Sequence, residues 1–182
     1  GTQDCMTCHT HASGYVLGPN TRQLNGDLKY AATGKSDNQL RALGHIGLFE
    51  TAPHENAAEE YDRLYALDDK TAPLDKRVRS SLESNCSQCH TTGGVNANWF
   101  ADYGAELSEL NVLGAKPLNH MGLSGVKLIA PGKPDSSVML LRVTSDKRGY
   151  RMPPLGRLKT DDQAVAALRE WIAELKEEEK DK

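Results

Sequence analysis

The sequence predicts an all-α chain of two helical halves with long loops, each half built around one Cys-x-x-Cys-His segment. Three observations lead there. The segment occurs twice, as Cys5-Met6-Thr7-Cys8-His9 and Cys86-Ser87-Gln88-Cys89-His90, and it uses all four cysteines. Apolar residues recur at helical spacing before the second segment (Leu74, Val78, Leu82) and near the C-terminus (Val165, Leu168, Ile172, Leu175). Between these stripes runs a Gly- and Asn-rich, loop-like stretch.

The motifs divide the chain into residues 1–70 and 71–182. In the first half, Tyr15 to Asn25 reads as loop or short extended chain. Ser36 or Asp37 is placed to cap a helix from Asn38 to about Phe49. Glu55 to Leu67 reads as a second helix, with Tyr61, Leu64, Tyr65 and Leu67 on its apolar side. The joint is the polar run Asp68 to Pro73. In the second half Thr71 is the expected cap, and Pro73 the first-turn residue, of a helix leading straight into Cys86. An insertion at about 93–134 follows, with short ordered pieces expected around Asn98–Leu110. Pro131 to Pro134 forms a turn, and Asp135 or Ser136 starts a short helix through Val143. A loop then carries Arg151-Met152-Pro153-Pro154. Thr160, Asp161 and Asp162 open the terminal helix.

Composition excludes several classes. The 182 residues carry a net charge of −3, without the basic excess that nucleic-acid binding needs. No apolar run reaches the ~18 residues of a membrane span. No signal peptide opens the chain, and the abrupt start near Cys5 reads as that of a piece cut from a longer protein. Aromatic residues make up only 5%, so large flat apolar surface is scarce among the side chains themselves.

Cys-x-x-Cys-His is the attachment signal of c-type haem. Two thiols separated by two residues reach the two vinyl groups of neighbouring pyrroles. The adjacent His then serves as the proximal iron ligand. A zinc site built from two Cys-x-x-Cys pairs would set them ~15–20 residues apart, and Cys8 and Cys86 are far more distant. Two disulfides would leave the His after each pair unexplained. The expected cofactors are therefore two covalently bound haem c groups, on Cys5, Cys8 and His9 and on Cys86, Cys89 and His90. Such attachment takes place on reduced thiols outside the bacterial cytoplasm, which implies a periplasmic or extracellular location at the cell surface.

The second axial position of each iron decides between electron transfer and chemistry at iron. For the second haem, Met152 is expected: Pro153 and Pro154 stiffen its loop and hold the thioether in place. Met139 reads as core. For the first haem the candidates are His45, His54, His120 or an open site. His45 leads, because Gly44 and Gly47 beside it let a flat macrocycle approach the backbone. His11 stands too close to His9 to reach the opposite face.

The helix order of the second half resembles the class I cytochrome c fold, in which the first and last helices cross beside the haem. Trp171 would then sit near the crossing. Nearly the whole chain resembles a family of bacterial dihaem c-type cytochrome modules of exported multidomain redox proteins. Beyond the two haem motifs, the residues that carry the resemblance are Gly14 to Gly18, Gln23-Leu24-Asn25, Asn38-Gln39-Leu40, Gly93-Gly94, Ala130 to Pro134, Ser137 to Arg142 and, most specific, Arg151-Met152-Pro153-Pro154. The resemblance implies single-electron transfer with a redox partner protein or an attached enzyme domain, carbohydrate-active or sugar-oxidising. The competing reading is a dihaem peroxidase-like enzyme with one open haem. Such enzymes are about twice this length, and no distal acid-base pair is visible.

Overall fold

The computed structural model describes residues 2–51 and 60–176. The chain forms two compact units. One joins the start of the chain through Leu17 to the segment from Ala66 onward; the other spans Gly18–Tyr65. These units are drawn differently from the halves 1–70 and 71–182, and both Cys-x-x-Cys-His segments fall in the first of them.

The all-α expectation is overturned. The described residues hold six α-helices, but the helix content is only 31%, and an antiparallel two-stranded sheet is present. Strand β1 (Asp27–Lys29) pairs with β2 (Ser36–Asn38), Leu28 opposite Asp37. Three-residue strands of this polarity give no alternating apolar pattern, so nothing in the sequence marks them. Their hairpin is closed by the Tyr30 amide donating to the Lys35 carbonyl at 2.8 Å, with Gly34 at φ 68°.

Within Gly18–Tyr65, polar side chains do much of the organising. Asn20 and Gln23 form a reciprocal capping box on helix α1 (Thr21–Leu24). Helix α2 (Gln39–His45) is capped by Asn38, whose side chain accepts from the Leu40 amide, rather than by Ser36 or Asp37, which lie in the strand. It stops at His45, short of Phe49. Gly47, at φ 75°, lets the Leu48 amide turn back to the Leu43 carbonyl. Asn38 also donates to Asn25 at 3.0 Å, and Asn25 donates to the Tyr61 carbonyl at 2.7 Å. Both Asn residues are buried, and Leu40 is the one fully buried large apolar side chain described in this unit. Residues 61–67 are not helical: the Leu64 amide is used by the Arg22 carbonyl. The rest of the expected Glu55–Leu67 helix falls mostly outside the described residues, as does His54.

A first prediction arises here. Asn38→Ala removes a helix cap and the hydrogen bond that Asn38 donates to the buried Asn25, so it should destabilise this unit by about 2 kcal/mol. Asn38→Asp retains the capping oxygen and should recover part of the loss. Thermal melting of the three proteins checks this; an Ala variant within 0.5 kcal/mol, by about the scatter of surface changes, contradicts it.

In the other unit, helix α3 (Leu74–Cys86) packs against helix α5 (Asp162–Glu174), and α4 (Val138–Thr144) also packs on α5. The expected stripes face this junction: Val78, Leu168 and Ile172 are buried, and Leu74, Leu82, Val165 and Leu175 pack around them. Asp161 caps α5 by accepting from the Ala164 amide. Thr71 does not cap α3; it donates to the Asp69 carboxylate, and Pro73 stands at the cap instead. The Trp171 indole N–H donates to Asp75 at 3.0 Å, tying α5 to the first turn of α3.

The stretch 93–134 contributes core without forming a helix. Trp99, Ala101, Leu110, Val112, Leu128 and Ile129 are all buried in the same apolar cluster as the helices. Its backbone is satisfied by short parallel bridges, Leu113 with Ile129 and Lys127 with Ser137. The Ile129 amide donates to the Val112 carbonyl at 3.1 Å. Met139 is buried core, as its sequence context implied.

Candidate functional site

Each Cys-x-x-Cys-His segment begins on the last residue of a helix, Thr2–Cys5 for the first and α3 for the second, and folds as one further turn. In the first, the Cys5 carbonyl accepts from the Cys8 amide at 3.2 Å and the His9 amide at 3.0 Å. In the second, the Cys86 carbonyl accepts from Cys89 at 3.0 Å and His90 at 2.8 Å. The same two bonds therefore set both segments, placing two thiols and an imidazole on one turn of backbone. The chain that leaves the second segment is tightly folded. The Val95 amide donates to the Cys89 carbonyl, and a Cβ at Gly94 would lie 2.2 Å from that oxygen. Glycine is required there.

The two segments also meet. The Cys89 thiol donates to the Thr7 carbonyl at 3.6 Å, and it hydrogen-bonds to Cys8. A Cβ on Gly93 would touch the side chain of Ala12 at 3.7 Å. Burial pushes the Cys86 thiol up to about 12, and Cys89 is raised to the same level by burial and by its hydrogen bond with Cys8. The thiols Cys8, Cys86 and Cys89 are half-buried and Cys5 is exposed; none is in a disulfide.

The two imidazoles differ in their support. His9 Nδ1 stands 2.7 Å from the Tyr15 carbonyl. A carbonyl only accepts, so Nδ1 is the donor in this contact and Nε2 is the ring nitrogen left to face a metal. His90 stacks on Trp99, ring centroids 4.0 Å apart at 26°, and its Nδ1 is buried without a hydrogen-bond partner. Burial, with the charge of Arg142 adding to it, pushes His90 down to about 4. The ring is thus neutral at physiological pH, the state an iron ligand requires. Two thiols and a neutral imidazole on one turn of backbone are a donor set that fits covalent haem c.

A buried polar network fixes the loop after the second segment. Glu83, one turn before Cys86, accepts from the Tyr103 amide at 2.7 Å. Arg79 donates to the Tyr103 carbonyl at 2.8 Å and to that of Ala105. Both side chains project from α3, so the helix that presents Cys86 also grips residues 103–105. Nothing in the one-dimensional pattern marks this pairing, because a buried Glu and Arg look there like ordinary helix surface.

Met152 is half-buried on the loop between α4 and α5. Its backbone is held on both sides. The Met152 amide donates to the Arg142 carbonyl at 2.9 Å, and its carbonyl accepts from Arg157 at 3.2 Å. Arg157 was not among the residues singled out from sequence; only its place shortly after Met152 marks it. His45, at the end of α2, is exposed and belongs to the Gly18–Tyr65 unit. His11 is exposed with its ring edge-on to Tyr15, and His120 is exposed in the long connecting stretch. No group of three or more His, Cys, Asp or Glu side chains suited to a bare metal ion occurs among the described residues.

Residues 102–156 match the family described as Planctomycete cytochrome C. The matched segment lies after both Cys-x-x-Cys-His segments and includes Met152, so the likeness is carried by sequence other than Cys-x-x-Cys-His. It supports a cytochrome c-type domain, with covalently bound haem c and a role in electron transfer. No curated protein and no solved structure matches the chain. Among the described residues no helix is long and apolar enough to cross a membrane.

Proposed function

We propose that this chain is a dihaem electron-transfer module of exported bacterial proteins, passing single electrons between redox partners. Cys5, Cys8 and His9 would hold one haem and Cys86, Cys89 and His90 the other, with Met152 as a further iron ligand of the latter. The observation that carries this reading is the shared backbone turn of the two segments inside one compact unit. The junction of α3 with α5, tied by Trp171 and Asp75, supports a class I cytochrome c-like arrangement around the second haem. When bound, haem supplies a one-electron Fe(III)/Fe(II) couple. The chain's part is to anchor it, keep His9 in the Nδ1–H tautomer, hold His90 neutral and exclude water with the cluster around Trp99.

Haem stoichiometry tests the proposal. The protein is produced in a host with c-type haem attachment machinery, and intact mass and haem-to-protein ratio are measured. Two haems are expected in the wild type. One is expected in Cys5→Ser/Cys8→Ser and one in Cys86→Ser/Cys89→Ser. A wild type carrying a single haem, unchanged by one of the double substitutions, overturns the dihaem reading.

A further inference from the structure

We infer that Arg157 is a positioning residue that locks the Met152 loop in its ligating conformation. The inference rests on the reading of Met152 as an iron ligand. The Arg157 side chain is only 10% exposed, unusual for an arginine in an irregular segment. It spends its donors on backbone. One terminal nitrogen donates to the carbonyls of Val143 and Met152; the other donates to the carbonyl of Ser145 and to Asp146 at 3.0 Å.

These acceptors lie on both arms of one loop. Val143 and Ser145 belong to the end of α4, where the last carbonyls of a helix lack partners of their own. Met152 stands on the returning arm, beside the bond from its own amide to the Arg142 carbonyl. The planar guanidinium thus bridges the start and the end of the Ser145–Met152 excursion. Leu155 and Leu158, on either side of Arg157, are both exposed. The carboxylate of Asp146 is 88% exposed, so the ion pair is the weaker part of the contact and the carbonyl bonds the stronger.

A clamp of this kind acts on the equilibrium between a ligated and a released thioether. Losing charge-assisted bonds to three carbonyls should shift it toward release by about tenfold or more. The measurement is made on the haem-loaded protein. The ferric thioether-to-iron charge-transfer absorption is followed against pH, and carbon monoxide binding is followed in the reduced state. In Arg157→Ala the absorption is expected to weaken or to vanish at lower pH than in wild type, with CO-reactive second haem rising about tenfold, while the first haem keeps its spectrum. Arg157→Lys keeps the charge without the fork and should fall between the two. Asp146→Asn should match wild type.

If Met152→Ala abolishes the absorption while Arg157→Ala and Arg157→Lys leave both readouts unchanged, the clamp is refuted and the ligand reading stands. If Met152→Ala itself leaves the absorption intact, both fall together. An Arg157→Ala protein that fails to load haem is decided by Arg157→Lys: a wild-type pH profile in that variant also overturns the clamp.

Discussion

On the ligation proposed above, Met152→Ala should lower the reduction potential of the haem on Cys86 and Cys89 and open it to carbon monoxide. A soft thioether favours Fe(II) over Fe(III), so its loss removes stabilisation of the reduced state. Axial ligands set haem potentials over a range of ~0.8 V, and a shift on the order of a hundred millivolts is expected from losing one. The direction is fixed by the chemistry: water or hydroxide, the available replacements, are harder donors. The backbone of the loop should be little disturbed, because it is held at the Met152 amide and carbonyl rather than by the side chain. A spectroelectrochemical titration of wild type and variant measures the shift. An unchanged potential together with unchanged resistance to CO shows that Met152 is not the ligand.

The two Cys-x-x-Cys-His segments stand out in the sequence because their spacing is fixed, and spacing survives any fold. The terminal helix was legible for a related reason: Leu168 and Ile172 face one way on a helix whatever they pack against. What sequence did not show is where one part of the chain answers another. The hairpin of Asp27–Lys29 with Ser36–Asn38 is held by backbone pairing and by Asn38 meeting Asn25, and no local pattern encodes that. Residues 93–134 look like loop because their buried positions, Trp99, Val112 and Ile129 among them, follow neither the helical nor the strand period. The meeting of the two attachment segments, Cys89 against Thr7 and Cys8, is of the same kind. Sequence distance separates them; the compact unit that joins the start of the chain to Ala66 onward does not.

That meeting sharpens the meaning of the low aromatic content. The unit holding both segments buries Trp99, Tyr103 and Trp171, so these large rings are concentrated where α3 meets its neighbours. Trp99 backs His90, Tyr103 lies under the cations of Lys76 and Arg79, and Trp171 reaches Asp75. All three therefore brace α3 and the histidine that follows it.

Trp171 is the brace whose removal should be most costly. It is 3% exposed at the contact of α5 with α3, within the apolar cluster that includes Val78, Leu168 and Ile172. Trp171→Ala deletes a large buried ring and leaves a cavity, at a cost of about 3–5 kcal/mol. Out of a typical stability of about 5–15 kcal/mol, that is enough to leave a substantial fraction unfolded. Trp171→Phe separates packing from hydrogen bonding. It keeps most of the ring volume but removes the N–H that reaches Asp75, whose side chain is 41% exposed and can turn to water. That variant should lose about 1 kcal/mol for the hydrogen bond plus a smaller packing term. Denaturant titration of the haem-loaded proteins, followed by tryptophan-independent far-ultraviolet circular dichroism, orders the three. Equal losses in Phe and Ala variants would mean that the indole N–H, not the buried surface, holds α5 to the attachment helix, and the packing account of this junction would have to be abandoned.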